Sequence, residues 1–393
     1  MAGPRPRFVV LFLTVLIDLI GFGIVLPILP FYVQRFGALG SGFGVIVGVF
    51  SLMQFLATAL LGRLSDRTGR RPVLLATMLI NAAGYVLFAF AGSYVALVVS
   101  RVVSGFASGN ISVAQAYMAD ITTPADRSRG MGLIGAAFGL GFIIGPALGG
   151  LAGHHWGPAA PGLVAAGLSL VNFASAYVIL RESLAPEHRL ARPLFDFGHI
   201  GDVLRRPRLR PLVAIWALVP FAFAGYTVAL PLFAAATLGW RERELGWFFT
   251  AVGVTAALVQ GFLFGILARR FGERRLLVWG AFGMVAGVGV VPWLSSSAAL
   301  YAWTIVLAFA NSLFAPAATG LVSAYAGAAE QGTVLGAAQA IAALGRTTGP
   351  PAIGAVYDAV SPVGAFVVAA LGMVAAALAA NRLEDVAGGT SHG

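Results

Sequence analysis

The sequence predicts an all-α membrane protein with twelve transmembrane helices in two pseudo-symmetric six-helix bundles. Three observations predict it. Residues of the AVILMFWYC set make up 59% of the 393 residues and charged residues only 10%, against roughly 25% charged in a soluble domain. The apolar residues come in continuous runs rather than in alternation, which favours spanning helices over a membrane β-barrel. Separate elements recur at one offset in the two halves. A fully soluble enzyme and a disordered chain are excluded, because so little charge cannot cover a water-facing surface.

The apolar runs lie near 8–30, 44–61, 73–91, 95–119, 131–152, 162–180, 211–235, 246–267, 276–294, 299–321, 334–356 and 363–381. A spanning helix needs about 20 apolar residues. Twelve spans with short loops therefore fill the chain. The first run is too long for a signal peptide, carries Asp18 and lacks a small-residue cleavage site, so it is expected to be retained. The one long connection predicts an N-terminal bundle over 1–180, a linker over 181–210, and a C-terminal bundle with a short tail over 211–393.

All 25 cationic side chains are arginine. With the N-terminus inside, cytoplasmic segments hold 20 of them and the outer loops only Arg35, Arg241 and Arg243. That asymmetry predicts a multi-pass membrane protein with both termini cytoplasmic; the expected location is the bacterial inner membrane. It also accounts for the net charge of +10 through topology and contact with the lipid bilayer, without nucleic acid.

The halves repeat. Gly21, Leu26 and Pro27 in the first run match Gly225, Leu230 and Pro231 in the seventh, an offset of 204. The loop Gly62–Arg71 reappears over Gly265–Arg274 at 203, and Gly145-Pro146 reappears as Gly349-Pro350 at 204. Internal repeats in a helical membrane protein point to a transporter with its site between the halves.

Asp18 is the one acid in the middle of a run. A carboxylate there costs roughly 2.5–3.5 kcal/mol on insertion scales, so it is expected to face a cavity and to work. Desolvation penalises its charged form, which makes it a candidate proton carrier. A structural hydrogen bond to a neighbouring helix is the alternative. In the fourth run Arg101, Gly105, Ser108, Ser112 and Gln115 share one helical face. Asn110 points the opposite way and reads as interhelical glue. Ser51, Gln54, Thr58 and Gly62 share a face in the second run, Thr304 and Asn311 in the tenth, and Gln339 and Arg346 in the eleventh. These stripes are either packing seams or the wall of a wet cavity, to which Gln260 in the eighth run also belongs. Phe138, Phe142, Trp216, Phe223 and Tyr226 are candidate aromatic lining. Arg101 or Arg346 is expected to hold Asp18 ionised or to take part in its proton release.

The loop Gly62–Pro72 is dense in arginine around Asp66. Asp66 is expected to latch the halves at the start of the eleventh run, where a helix N-terminus favours an acid. Arg70 or Arg71 is expected to pair with Asp120. Glycines at every fourth position around Gly145-Pro146 allow close helix approach, and the proline is expected to bend the helix. The chain has no cysteine, GxxxxGK[ST], HExxH or GxSxG, which argues against an enzyme. His154-His155 is a loop pair with no visible third ligand, so no metal site is expected.

These residues resemble the major facilitator superfamily, and within it the twelve-helix drug/proton antiporters, closest to tetracycline efflux pumps. The resemblance rests on Asp18-x-x-Gly21-x-Gly23 through Pro30, the loop Gly62–Pro72, Arg101-x-x-x-Gly105 and Gly141-x-x-x-Gly145-Pro146-x-x-Gly149-Gly150. It implies the major facilitator fold, proton coupling through Asp18 and Arg101, gating by the loop with Asp120, and cargo contact at Gln54. Tetracycline pumps carry further ionisable residues in their third, eighth and ninth helices, where this chain has Gly84, Ala256 and Gly283.

The expected function is therefore multidrug efflux by proton-coupled antiport and alternating access, with antibiotic resistance as its outcome. Amphipathic small-molecule drugs are the expected cargo, tetracycline first among them. The proton is the coupling ion, no cofactor is expected, magnesium enters only within a drug chelate, and the protein is expected to be a monomer. A sugar or metabolite transporter on the same fold is the alternative. A non-transporting membrane sensor or scaffold is the alternative of another class.

Overall fold

The computed structural model describes residues 4–123, 126–184, 209–325 and 331–383, and every regular element among them is helical. The stretch 185–208, most of the expected linker, and the tail beyond 383 lie outside the described residues. In the N-terminal half, α1 spans Pro4–Val25 and is followed by a short helix, Leu29–Arg35; α2 is Gly40–Thr68 and α3 Arg70–Ala89. Next, α4 covers Tyr94–Ile121, α5 is Arg127–Trp156 and α6 Ala160–Ile179. The C-terminal half has α7 at Arg210–Leu238, α8 at Glu242–Phe271, α9 at Glu273–Gly289, α10 at Ser297–Tyr325, α11 at Gln331–Ala359 and α12 at Pro362–Asn381. Eleven of these meet length and hydropathy criteria for crossing a bilayer. The exception, α11, carries Gln339, Arg346 and the pair Pro350-Pro351.

The boundaries have local causes. The first apolar run does not continue as one helix to residue 30, because Pro27 and Pro30 lack the amide a helix interior needs. Gly69 at φ +106° separates α2 from α3, and Gly272 at φ +80° separates α8 from α9. Both stand at the same place in the repeated loop, and both adopt backbone that side chains disfavour. The Ser93 side chain caps α4 by accepting from Ala96 N at 3.2 Å, and Ser361 caps α12 by accepting from Gly364 N at 2.9 Å. Two helices are irregular inside the span. A 3₁₀ turn interrupts α4 at Ser108–Asn110, and a π turn interrupts α8 at Val259–Leu263.

Within the N-terminal half α1 packs on α5 and α6, and α3 on α4 and α6; in the C-terminal half α7 packs on α11 and α12, and α9 on α10 and α12. Repeated glycines make equivalent contacts. A Cβ on Gly145 would lie 2.8 Å from Gly23 Cα, bringing α5 onto α1. Its repeat partner Gly349 sits on the Phe221 carbonyl, bringing α11 onto α7. The halves meet along two related seams, α2 with α11 and α5 with α8.

Both seams close at the arginine-poor end. There Gly40, Gly44 and Gly48 press on the backbone of Gly354, Pro350 and Thr347, and Gly246 lies on the Pro146 carbonyl, where a Cβ would approach to 2.7 Å. Toward the arginine-rich end, Gly132 and Gly135 on α5 and Gly261 and Gly265 on α8 have, among the described residues, no atom within 4 Å of where a Cβ would stand. Among the described residues, therefore, these seams touch at one end and are parted at the other.

A polar contact reinforces the shut end. Asp358, near the C-terminus of α11, accepts from Gly40 N and Ser41 N at 2.8 Å each and from Ser41 Oγ at 2.6 Å. A carboxylate from one half thus caps a helix of the other. A hydrogen bond to a charged group contributes about 1.5–3 kcal/mol. Asp358→Ala is expected to raise the population open at this end about tenfold, read as longer spin-label distances between the arginine-poor ends of α2 and α11. Unchanged distance distributions would contradict a latching role.

Candidate functional site

Asp18 lies in the second half of α1 and is 7% exposed. It faces the interior of the N-terminal half. Asn110 Nδ2 on α4 donates to its Oδ2 at 2.6 Å, and Asn81 Nδ2 on α3 donates to its Oδ1 at 3.5 Å. Among the described residues no cation stands within ion-pair distance of it. The expectation that Arg101 or Arg346 holds this carboxyl is corrected: two neutral amides do. Amide N–H groups supply donors to a carboxylate without bringing a second charge into a low-dielectric interior.

Tyr85, 2% exposed, continues this polar cluster along α3. Its ring packs on Gly21, one turn from Asp18, where a Cβ would lie 2.5 Å from the hydroxyl. The hydroxyl lies in electrostatic reach of Asn81, Asp18 and Arg101. Arg101, 3% exposed, sits with its guanidinium carbon 4.8 Å from the Phe88 ring centroid and its Nε 3.4 Å from Ser100 Oγ. Among the described residues its Nη2 has no partner, and neither have Ser104 Oγ, Asn81 Oδ1 and Asn110 Oδ1. Cation–π attraction in a desolvated setting stabilises such a guanidinium by about 2 kcal/mol.

The other polar candidates do not converge on Asp18. Gln54, Ser108, Ser112, Asn311 and Arg346 are half-buried, and Gln115, Gln260 and Gln339 are exposed. Part of the α4 stripe is a seam with α2. A Cβ on Gly105 would lie 2.7 Å from Phe50 O, and Ser112 Oγ donates to Thr58 O at 3.1 Å. Phe142 meets Phe22 at 5.8 Å between ring centroids, and Phe22 meets Phe50 at 5.1 Å, joining α5, α1 and α2. Phe138 packs beside the N-terminal core and Phe223 beside the C-terminal core. Tyr226 is not available as lining: it is 3% exposed, with its ring against Phe366 on α12. Trp216 borders a small apolar pocket of about 10 Å³ between α7, α10 and α11.

At the arginine-rich end the loop residues form one network. Arg70 Nη1 pairs with Asp66 at 2.6 Å and donates to Ser65 Oγ at 2.6 Å, while its Nε reaches Asp120 at 3.3 Å. Arg71 turns instead to the Tyr177 carbonyl at 2.8 Å. Asp66 is thus engaged within its own half, and among the described residues it makes no ion pair with α11. Gly62 lies near Ser112, 3.6 Å from a built Cβ. Glu182 caps α3, accepting from Arg70 N at 2.8 Å and Arg71 N at 3.2 Å. Its place just after α6 gave no such signal in the sequence.

The fold is two related helical halves that meet along two seams. A family model described as Major Facilitator Superfamily matches residues 11–241 and 217–388. The chain belongs to the Major Facilitator Superfamily. It is 33% identical over 356 residues to the class C tetracycline resistance protein of Escherichia coli, covering 88% of each chain. It is 30% identical to multidrug resistance protein 2 of Bacillus subtilis (strain 168), covering 89% of this chain and 88% of that one. Among solved structures, the human organic anion transporter MFSD10 superposes with a TM-score of 0.71 at 26% identity, covering 97% of this chain and all of the other.

The chain's departure at Gly84 has a steric reason. Gly84 lies against Ser104 Oγ and within 3.1 Å of Ser104 N from a built Cβ, so α3 and α4 touch there. Overpacking such a contact costs about 1–3 kcal/mol. Gly84→Asp is therefore expected to lower the thermal unfolding midpoint in detergent by several degrees rather than to add a working acid. An unchanged midpoint would show that α4 yields easily.

Proposed function

We propose that this chain is a proton-coupled exporter of amphipathic drugs, working by alternating access in a bacterial cytoplasmic membrane. The observation that carries the reading is Asp18, a carboxyl buried mid-span and held by amides rather than by a counter-ion. A carboxyl without a fixed cation gains or loses a proton without breaking an ion pair. Placing the arginine-rich end in the cytoplasm makes the parted state inward-open. Cargo then enters from the cytoplasm while Asp18 is deprotonated. Reopening to the outside lets Asp18 take up a proton, which supplies about 2.3 kcal/mol per charge per 100 mV. Because Asp18 faces the bundle interior, cargo and proton act on each other through helix positions, not by contact at one carboxyl. The similarity to tetracycline and multidrug resistance proteins supports aromatic, amphipathic cargo, with tetracycline the first compound to assay.

Organic anions are a second reading. It is favoured by Arg346, half-buried on α11 with no carboxylate against it among the described residues, and by the likeness to an organic anion transporter. Counterflow with tetracycline and with an aromatic carboxylate separates the two.

In proteoliposomes, Asp18→Asn is expected to abolish tetracycline-driven proton release and uphill transport, while tetracycline binding persists within a few-fold. Coupled transport at the native rate in Asp18→Asn would remove Asp18 from the mechanism.

A further inference from the structure

The amide that holds Asp18 is mounted on an irregular piece of backbone. After Ala107, α4 leaves α-helical geometry, turns 3₁₀ through Ser108–Asn110 and resumes at Ile111. Asn110, the last residue of that turn, donates to Asp18 at 2.6 Å. The other side of the turn bears on α2. A Cβ on Gly109 would lie 2.6 Å from the Ala57 Cβ and 2.7 Å from Thr58 N, so nothing separates the two backbones. One turn on, Ser112 Oγ donates to Thr58 O at 3.1 Å. The same α2 forms the seam with α11 and begins at the Gly40 and Ser41 amides that Asp358 caps. A continuous chain of tight contacts therefore runs from the seam, along α2, through the turn, to the carboxyl. A short 3₁₀ stretch inside a helix has poorer hydrogen-bond geometry and commonly marks a hinge.

We propose that the 3₁₀ turn Ser108–Asn110 couples the two: displacement of α2 against α4 makes or breaks the Asn110–Asp18 hydrogen bond, with Asn110 as a positioning residue. The hold of Asp18 on its proton then depends on the state of the seam. This rests on the reading of Asp18 as the proton carrier. An amide N–H favours the carboxylate, and its withdrawal favours the acid. With the seam shut the bond is made and the proton leaves toward the open end; with the seam open the bond is broken and a proton is taken up. The other groups around Asp18 do not supply this dependence. On α3 it meets Asn81, and the Tyr85 hydroxyl lies in electrostatic reach of both it and Arg101 of α4. Against the same stretch of α1, α5 places Gly141 on Leu19, and α6 places Asn172 on Thr14. Neither contact carries charge.

The chain has no cysteine, so a Ser41→Cys/Asp358→Cys pair supplies its only thiols. Oxidation locks the seam shut and reduction frees it. In lipid nanodiscs the protonated-carboxyl infrared band that disappears in Asp18→Asn reports the titration of Asp18. The expected midpoint is about half a pH unit or more higher in the reduced than in the oxidised protein, roughly a threefold change in proton affinity. In the Asn110→Ala background the two midpoints are expected to coincide. Gly109→Ala keeps the amide but forces the turn off α2, and is expected to lose the seam dependence as well. Equal midpoints with Asn110 and Gly109 intact, or a difference that survives either substitution undiminished, would overturn the proposal. A seam-dependent midpoint in a protein whose Asp18→Asn variant still couples transport would keep the turn as a relay and reject Asp18 as the carrier. Should Asp18→Asn remove no band, both readings fall.

Discussion

A carboxyl group buried in a lipid-embedded bundle has to be matched by something, and here the match is two amides. Asn110 and Asn81 reach Asp18 from two helices, and among the described residues no arginine pairs with it. An ion pair would fix the carboxylate, because separating it leaves an uncompensated buried charge. Amides stabilise the charged form without committing to it. They remain ordinary polar neighbours when the acid is neutral. The rest of the N-terminal half is arranged around that compromise. Gly21 makes room for Tyr85 beside the acid, and Gly141 and Gly145 bring α5 onto the back of α1.

The same economy of side chains governs the contact between the halves. Glycines at the arginine-poor ends of α2, α5, α8 and α11 let backbones touch, and one carboxylate, Asp358, adds directional bonds. Without a hydrophobic driving force between helices in lipid, close backbone packing is what holds such a seam. A seam made of small contacts is also one that can be released without exposing a large buried core. At the opposite end the cohesion is within one half, where Arg70 gathers Asp66, Ser65 and Asp120.

Much of this was legible in the sequence. Twelve apolar runs, the two-fold repeat and the isolated acid were all visible. The matched positive-φ glycines at 69 and 272 show that the repeated loop has one backbone shape. The acid's partners were not legible. On a regular helix Asn110 lies opposite Arg101. The three 3₁₀ residues advance about 120° each instead of 100°, rotating the remainder of α4 by about 60°, and no composition signal marks Ser108-Gly109-Asn110 as irregular. Nothing in the sequence singles out Asp358 or Glu182, because their partners are main-chain amides far away in sequence. Tyr226 lay in a candidate aromatic set, yet its ring fills a gap against Phe366, which apolar periodicity does not reveal.

If neutral amides inside the N-terminal half hold the coupling acid, solid-state NMR on the labelled protein in lipid detects them most directly. The measurement is dipolar transfer between the Asp18 carboxyl carbon and the Asn110 side-chain nitrogen. A cross-peak between these two nuclei is expected at alkaline pH, with none from Asp18 to any arginine guanidinium. A resolved Asp18 carboxyl signal with no transfer to Asn110, or with transfer to Arg101 or Arg346, would contradict that arrangement.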